Sequence, residues 1–187
     1  VGRIKQIKEN KNNFNSVNIF FQDESRYGLK LRPRRILTSV GVKPIQPYQH
    51  RFKNTYLYGA YSPIDGSQFT LDLPYCNTQM MQLFLDQFSL IKPEELKIVV
   101  MDNAAFHHSG HLSMPNNIAP LFIPAYAPEL NPAERVWQFL KDNVCHKVFD
   151  TLDDIQDDMH HAIRTLLTPE RVKSLTGYQL YMDAFLK

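Results

Sequence analysis

LKIVVMDN, residues 96–103, is the stretch on which the fold turns. Leu96–Met101 is an apolar run interrupted only by Lys97, with Val99 and Val100 at its centre, and it stops at Asp102. A run this short, apolar on both alternating faces, reads as a central strand buried on both sides. Its neighbours in sequence fit such a sheet. VNIFF, residues 17–21, is a second apolar run, ending at Gln22-Asp23-Glu24. RRILTSVGV (34–42) and NTYLYGAYS (54–62) read as further strands, and the turn signal PIDG (63–66) joins the latter to SQFTLDL as a hairpin. Asn77 is placed to cap a helix in which Met80, Met81, Phe84, Leu85 and Phe88 recur at helical spacing. APLFIPAYAP holds one more short strand and then a proline-punctuated loop. Helices are expected over 132–146, 151–167 and, as one or two short pieces, 169–186. The order predicts an α/β domain, a mixed sheet with helices packed on its faces.

Composition bounds the rest. The chain has 187 residues, 43% of them apolar, which suits one globular domain. No apolar run approaches the roughly 20 residues of a membrane span, so no membrane partner is expected. Cys76 and Cys145 lie far apart and form neither a zinc cluster nor a disulfide framework; reduced thiols in a cytosolic protein are the plain reading. Residues 1–53 carry 12 Lys/Arg against 3 Asp/Glu, whereas 54–187 carry 9 against 16. That asymmetry points to a polyanion at one end. Its densest stretch holds Arg26, Lys30, Arg32, Arg34 and Arg35, with a solvated basic hairpin as the alternative.

Two strands thus end in acids, Asp23 and Asp102, where a sheet rim commonly binds ligands. If the strands are neighbours, the carboxylates face each other and repel unless a cation lies between them. Oxygen ligands of this kind suit Mg²⁺. Glu134, from PELNPAERVW (128–137), is the candidate third acid. Local sequence alone favours a humbler role: Asn131, Pro132 and Glu134 make a near capping box. Glu24 is also adjacent to Asp23 and would face the other way, and spacing cannot choose between them.

FQDES, VVMDNAAFHHS and IPAYAPELNPAERVWQFLK, in this order, resemble the catalytic domain of the DDE transposases, and within them the bacterial insertion-sequence group related to Tc/mariner elements. The matching positions are Asp23, then Asp102, Asn103 and His107. The last block supplies Pro124, Tyr126, Ala127, Pro128, Leu130, Asn131, Pro132, Glu134, Trp137 and Lys141. Ala127 stands where the group usually has Ser, and the Asp102–Glu134 interval is shorter than usual. The resemblance covers roughly residues 17 to 145. It implies an RNase H-like mixed five-stranded sheet with helices on both faces. It selects Asp23 over Glu24, and a metal role for Glu134 over a bare cap.

It further implies a triad of Asp23, Asp102 and Glu134 holding two Mg²⁺ ions, with Mn²⁺ able to substitute. The activity implied is cutting of transposon-end DNA and joining of its 3′ end to target DNA, by a homodimer assembled on DNA. Arg26, Lys30, Arg32, Arg34, Arg35, His107 and Lys141 are the expected DNA contacts. The alternative is a catalytically silent transposase-derived module for DNA binding or assembly; retention of all three acids argues against decay. Residues 1–16 read as a basic linker or arm, too short for the helix-turn-helix that relatives carry, and 17–187 as the catalytic domain. A zinc site at His107, His108 and His111 is disfavoured for want of a further soft ligand. Helical spacing assigns Trp137, with Val136, Leu140 and Val144, to core packing. Asp153, Asp154, Asp157 and Asp158 read as the polar side or first turn of a helix.

Overall fold

The computed structural model describes residues 6–7, 14–30, 37–43, 45, 49, 51–102, 112–124 and 130–186. Its strands are β1 (Ser16–Gly28), β2 (Asn54–Tyr61), β3 (Gln68–Leu73), β4 (Glu95–Met101) and β5 (Ile118–Phe122). Its helices are α1 (Thr78–Leu90), α2 (Ala133–Val144), α3 (Leu152–Leu166), α4 (Pro169–Thr176) and α5 (Gln179–Leu186). The strands form one sheet in the order β3-β2-β1-β4-β5. The β1–β2 and β2–β3 pairs are antiparallel, and β1–β4 and β4–β5 are parallel.

Every residue of β4 is buried, the charged Glu95 and Lys97 included, as its central place in the sheet requires. Alternation divides the core into two layers. On one face Phe20, Tyr58, Ala60, Val99 and Met101 pack against Met81, Phe84, Leu85 and Phe88 of α1. On the other, Ile19, Phe21, Leu57, Tyr61, Ile98 and Val100 pack against Val136, Trp137 and Leu140 of α2, Ile155 and Met159 of α3, and Val172 of α4. The fold is therefore an α/β sandwich with helices on both faces. Each of these large apolar side chains contributes about 1.5–3 kcal/mol by leaving water. Asn77 caps α1 as expected, its side chain accepting from the Met80 N–H at 2.9 Å. The turn into β3 uses Gly66 at φ 76, a backbone that side chains rarely adopt.

Two expectations give way. β1 does not stop at Gln22-Asp23-Glu24; it runs on to Gly28, because β2 pairs with it from Phe21 to Gly28 after β4 has left. The extension is polar in sequence, but β2 pairs with it along one edge. RRILTSVGV does not form a strand over its described part. Around Gly41, at φ 84, the Val42 N–H donates to the Ser39 carbonyl in a turn, and Leu37 and Val40 are wholly exposed. Arg34, Arg35 and Ile36 lie outside the described residues, as does Arg32. No helix among the described residues is long and apolar enough to cross a membrane. The described cysteines are free thiols, Cys76 exposed and Cys145 buried.

The antiparallel half of the sheet is locked to α3 through one carboxylate. Asp72 on β3 accepts from the Tyr27 hydroxyl of β1, from Thr55 Oγ1 of β2 at 2.5 Å, and from Gln156 Nε2 of α3 at 3.1 Å; His160 Nε2 lies 3.2 Å away. Its side chain is 8% exposed. Asp72→Ala removes the acceptor of the buried Tyr27 hydroxyl and the tie to Gln156, while Thr55 Oγ1 keeps the Leu73 carbonyl at 3.0 Å; we expect a loss of about 2–4 kcal/mol in urea unfolding with the slope unchanged.

Candidate active site

The site begins where the two ladders of β1 change over. The parallel register with β4 runs from Ser16↔Glu95 to Phe21↔Val100, and continuing it by two residues sets Asp23 beside Asp102. Both follow, by alternation, residues of the α2 side: Phe21 precedes Asp23, and Val100 precedes Asp102. Glu24 goes the other way. It pairs in register with Tyr58 and accepts from Gln22 Nε2 at 2.8 Å, on the α1 side. Arg26 shares that parity and is exposed, so it does not stand on the face of Asp23. Lys30 is exposed beyond the end of β1.

α2 brings the third acid. Glu134 lies in its first turn and is exposed. The capping box does not form as the sequence suggests. Pro132 takes the cap position, and Asn131 Oδ1 accepts from the Ala133 N–H at 3.2 Å. The other end of the Asn131 amide does something local sequence could not reveal: Nδ2 donates to the Gln22 carbonyl at 2.9 Å, beside Asp23. Asn131 is 4% exposed, so this bond is a dry staple between the start of α2 and β1. Trp137 takes its expected place in the core and has a second role there. It is buried in the core, and its indole Nε1 also donates to Asp23 Oδ2 at 3.0 Å.

Asp23, Glu24, Ser25, Glu134, Trp137, Gln138 and Lys141 line an open cleft of about 250 Å³. Lys141 thus faces the same side as Glu134, as the seven-residue spacing predicts. Burial pushes the Asp23 carboxyl up to about 7; the charges of Glu24 and Asp102 act in the same direction, while the Glu24 backbone N–H and the Trp137 indole pull against them. A carboxylate so placed, among like charges, favours a cation. The donor set is all carboxylate oxygen, which fits a hard divalent ion of the Mg²⁺ or Mn²⁺ kind. Among the described residues, no three His, Cys, Asp or Glu side chains converge on one point as a ready-made ion cage. Asn103, His107, His108 and His111 lie outside the described residues.

The acids of α3 have surface roles, as expected. Asp154 forms a capping box with Thr151, and Asp158 pairs with Lys147 at 2.7 Å.

The Asp23 shift has a consequence for the metal-free protein. The unfolded carboxyl ionises near 3.8 and the folded one near 7, so between these values the folded state holds the extra proton. Stability therefore falls as pH rises through that window and is level above it. Asp23→Asn removes the penalty while keeping an acceptor for the indole. We expect its Tm in chelator to exceed that of the parent at about pH 8 and to match it near pH 4; equal Tm values at the higher pH would show that Asp23 ionises freely.

The model of the DDE superfamily endonuclease family matches residues 18–156. An uncharacterised protein of Sinorhizobium fredii, y4pE/y4sA, is 38% identical over 102 residues, which make up 54% of this chain and 76% of that one. Among solved structures, the Mos1 transposase paired-end complex with left transposon end superposes with a TM-score of 0.65 at 16% identity, over 94% of this chain and 55% of the Mos1 chain. The Mos1 mariner paired-end complex with Mn gives 0.66 at 16% identity, over 93% and 56%. The chain therefore spans a little over half the length of the Mos1 chains it matches, and the likeness is one of fold, the RNase H-like mixed sheet. With three quarters of its residues under the family model, the chain belongs to the DDE superfamily endonucleases.

Proposed function

We propose that this domain cuts DNA strands at the ends of a mobile element and joins the 3′ end to target DNA by phosphoryl transfer. Asp23, Asp102 and Glu134 would hold two Mg²⁺ ions, with Mn²⁺ as a substitute. The observation that carries this reading is positional. Continued two residues past its last pair, Phe21↔Val100, the β1–β4 register would set Asp23 beside Asp102, and Glu134 lines the same cleft as Asp23. When bound, the ions supply positive charge at the attacking and leaving oxygens.

The protein's own part is positioning and charge. The three carboxylates act as ligands rather than proton carriers. Lys141, in the cleft beside Glu134 and Gln138, is suited to a phosphate oxygen. Arg26 and Lys30 are exposed and can track the sugar-phosphate backbone, with Arg32, Arg34 and Arg35 completing the basic stretch in sequence. His107 is assigned to Asp102 or to a phosphate on the family motif alone. The Mos1 paired-end complex with a left transposon end supports DNA ends as the substrate, and a homodimer on DNA is the assembly proposed with it. A nucleoid-associated place in the cytoplasm follows from such a substrate.

One observation favours a second reading, a catalytically silent module for DNA binding or assembly: among the described residues the carboxylates do not close on a common point. Nicking of supercoiled plasmid separates the two. With Mg²⁺ or Mn²⁺ the parent should nick, and Glu134→Gln should reduce the rate by about 100-fold or more with its fold intact. Metal-independent nicking, or equal rates in parent and variant, would defeat the enzyme reading. DNA affinity should fall steeply between low and physiological salt, as phosphate contacts require.

A further inference from the structure

We propose that Trp137 is a positioning residue of the metal site. Its indole N–H fixes the carboxylate of Asp23, and the residue at 59 is glycine so that the indole can lie there. This role rests on the reading of Asp23 as a metal ligand.

The indole is donor-only, so its bond to Asp23 Oδ2 at 3.0 Å has one possible sense. Its direction is set by packing. Trp137 is 5% exposed and meets Tyr61 edge-on, with ring centroids 5.4 Å apart at 77°. Gly59 stands opposite Asp23 in the β1–β2 register, on the same face of the sheet. A Cβ at Gly59 would fall 2.6 Å from Trp137 Cη2 and 2.5 Å from the Tyr61 hydroxyl oxygen. No side chain fits without moving the ring. The strand opposite the acid is therefore hollowed at the one position that admits the donor.

Packing alone would not need the N–H, since phenylalanine would supply an aromatic ring. What the indole adds is a fixed rotation of the Asp23 carboxylate, with Oδ2 restrained. Trp137 also stands three residues after Glu134, so one turn of α2 carries one candidate ligand and anchors another. Partners of this kind that orient metal ligands typically change metal affinity by about 10–100-fold when removed.

Mn²⁺ titration followed by electron paramagnetic resonance of the free ion, on the whole chain with a short DNA duplex, tests the role. Trp137→Phe removes the donor; benzothienylalanine at position 137 keeps the bicyclic ring and lacks only the N–H. Both should bind Mn²⁺ about tenfold or more weakly. Both should also need correspondingly more metal for half-maximal nicking, with the rate recovered at saturation. Gly59→Ala, which keeps every hydrogen-bonding group but crowds the ring, should shift affinity in the same direction. A benzothienylalanine protein that binds Mn²⁺ like the parent overturns the role and leaves Trp137 as core. Asp23→Asn separates this from the reading beneath it. If that variant loses Mn²⁺ and the Trp137 variants do not, only the indole's role fails. If Asp23→Asn binds like the parent, the metal site itself is wrong and the role goes with it.

Discussion

The hand-over of β1 from one neighbour to another is the constraint on which the rest of this structure depends. Up to Phe21 the strand is laddered to β4; from Phe21 onward it is laddered to β2. At that point the sheet opens on one side. Backbone groups there must still be satisfied, and β4 no longer supplies partners. Asn131 takes the Gln22 carbonyl instead, which ties the first residues of α2 to the opening. The helix that carries Glu134 is therefore fixed by the same gap that exposes Asp23 and Asp102. A longer β1–β4 ladder would close the gap, and it would remove both the cleft and the need for the staple.

Electrostatics sharpen the same point. Asp23 is desolvated and flanked by Glu24 and Asp102, which together push its pKa up to about 7. Against this stand a backbone N–H and the Trp137 indole, neither of which carries a full charge. The fold tolerates the unfavourable carboxylate because the surroundings are otherwise well packed, with Ile19, Phe21, Ile98 and Val100 buried directly behind it. Local disfavour of this sort, held in place by a rigid core, is characteristic of sites that bind something.

Much of this could be read from the chain. The apolar run of β4, the Asn77 cap, the β2–β3 hairpin and the helices after 132 are set by local chemistry, and each formed close to where the pattern put it. The order of the three acids was equally visible. What was not legible depends on partners distant in sequence. QDESRYG looks like the end of a strand because it is polar; it stays extended because β2 pairs with it. RRILTSVGV has strand-like composition, yet its described residues turn at Gly41 and lie in solvent. Helical spacing rightly buried Trp137, but no spacing rule indicates an acceptor 114 positions away. Asn131 likewise advertised a cap, while its bond to Gln22 spans 109 positions.

The candidate ligands differ in a way that bears on how the site would work. Asp23 is held by a hydrogen bond whose donor is locked in the core, whereas Glu134 projects from the exposed side of the same helix. A carboxylate that is already oriented contributes its full attraction when a cation arrives. One at the surface must first give up rotamer freedom, which costs on the order of 1–2 kcal/mol for a glutamate. Three converging anions without a cation would repel, and the described carboxylates do not converge. In the proposed site, then, pre-organisation is confined to the half-buried Asp23, and Glu134 completes the shell only once metal and phosphate oxygens offset the repulsion. The division follows from the helix itself: residues three apart on α2 face one cleft, yet one roots in the core and the other reaches into water.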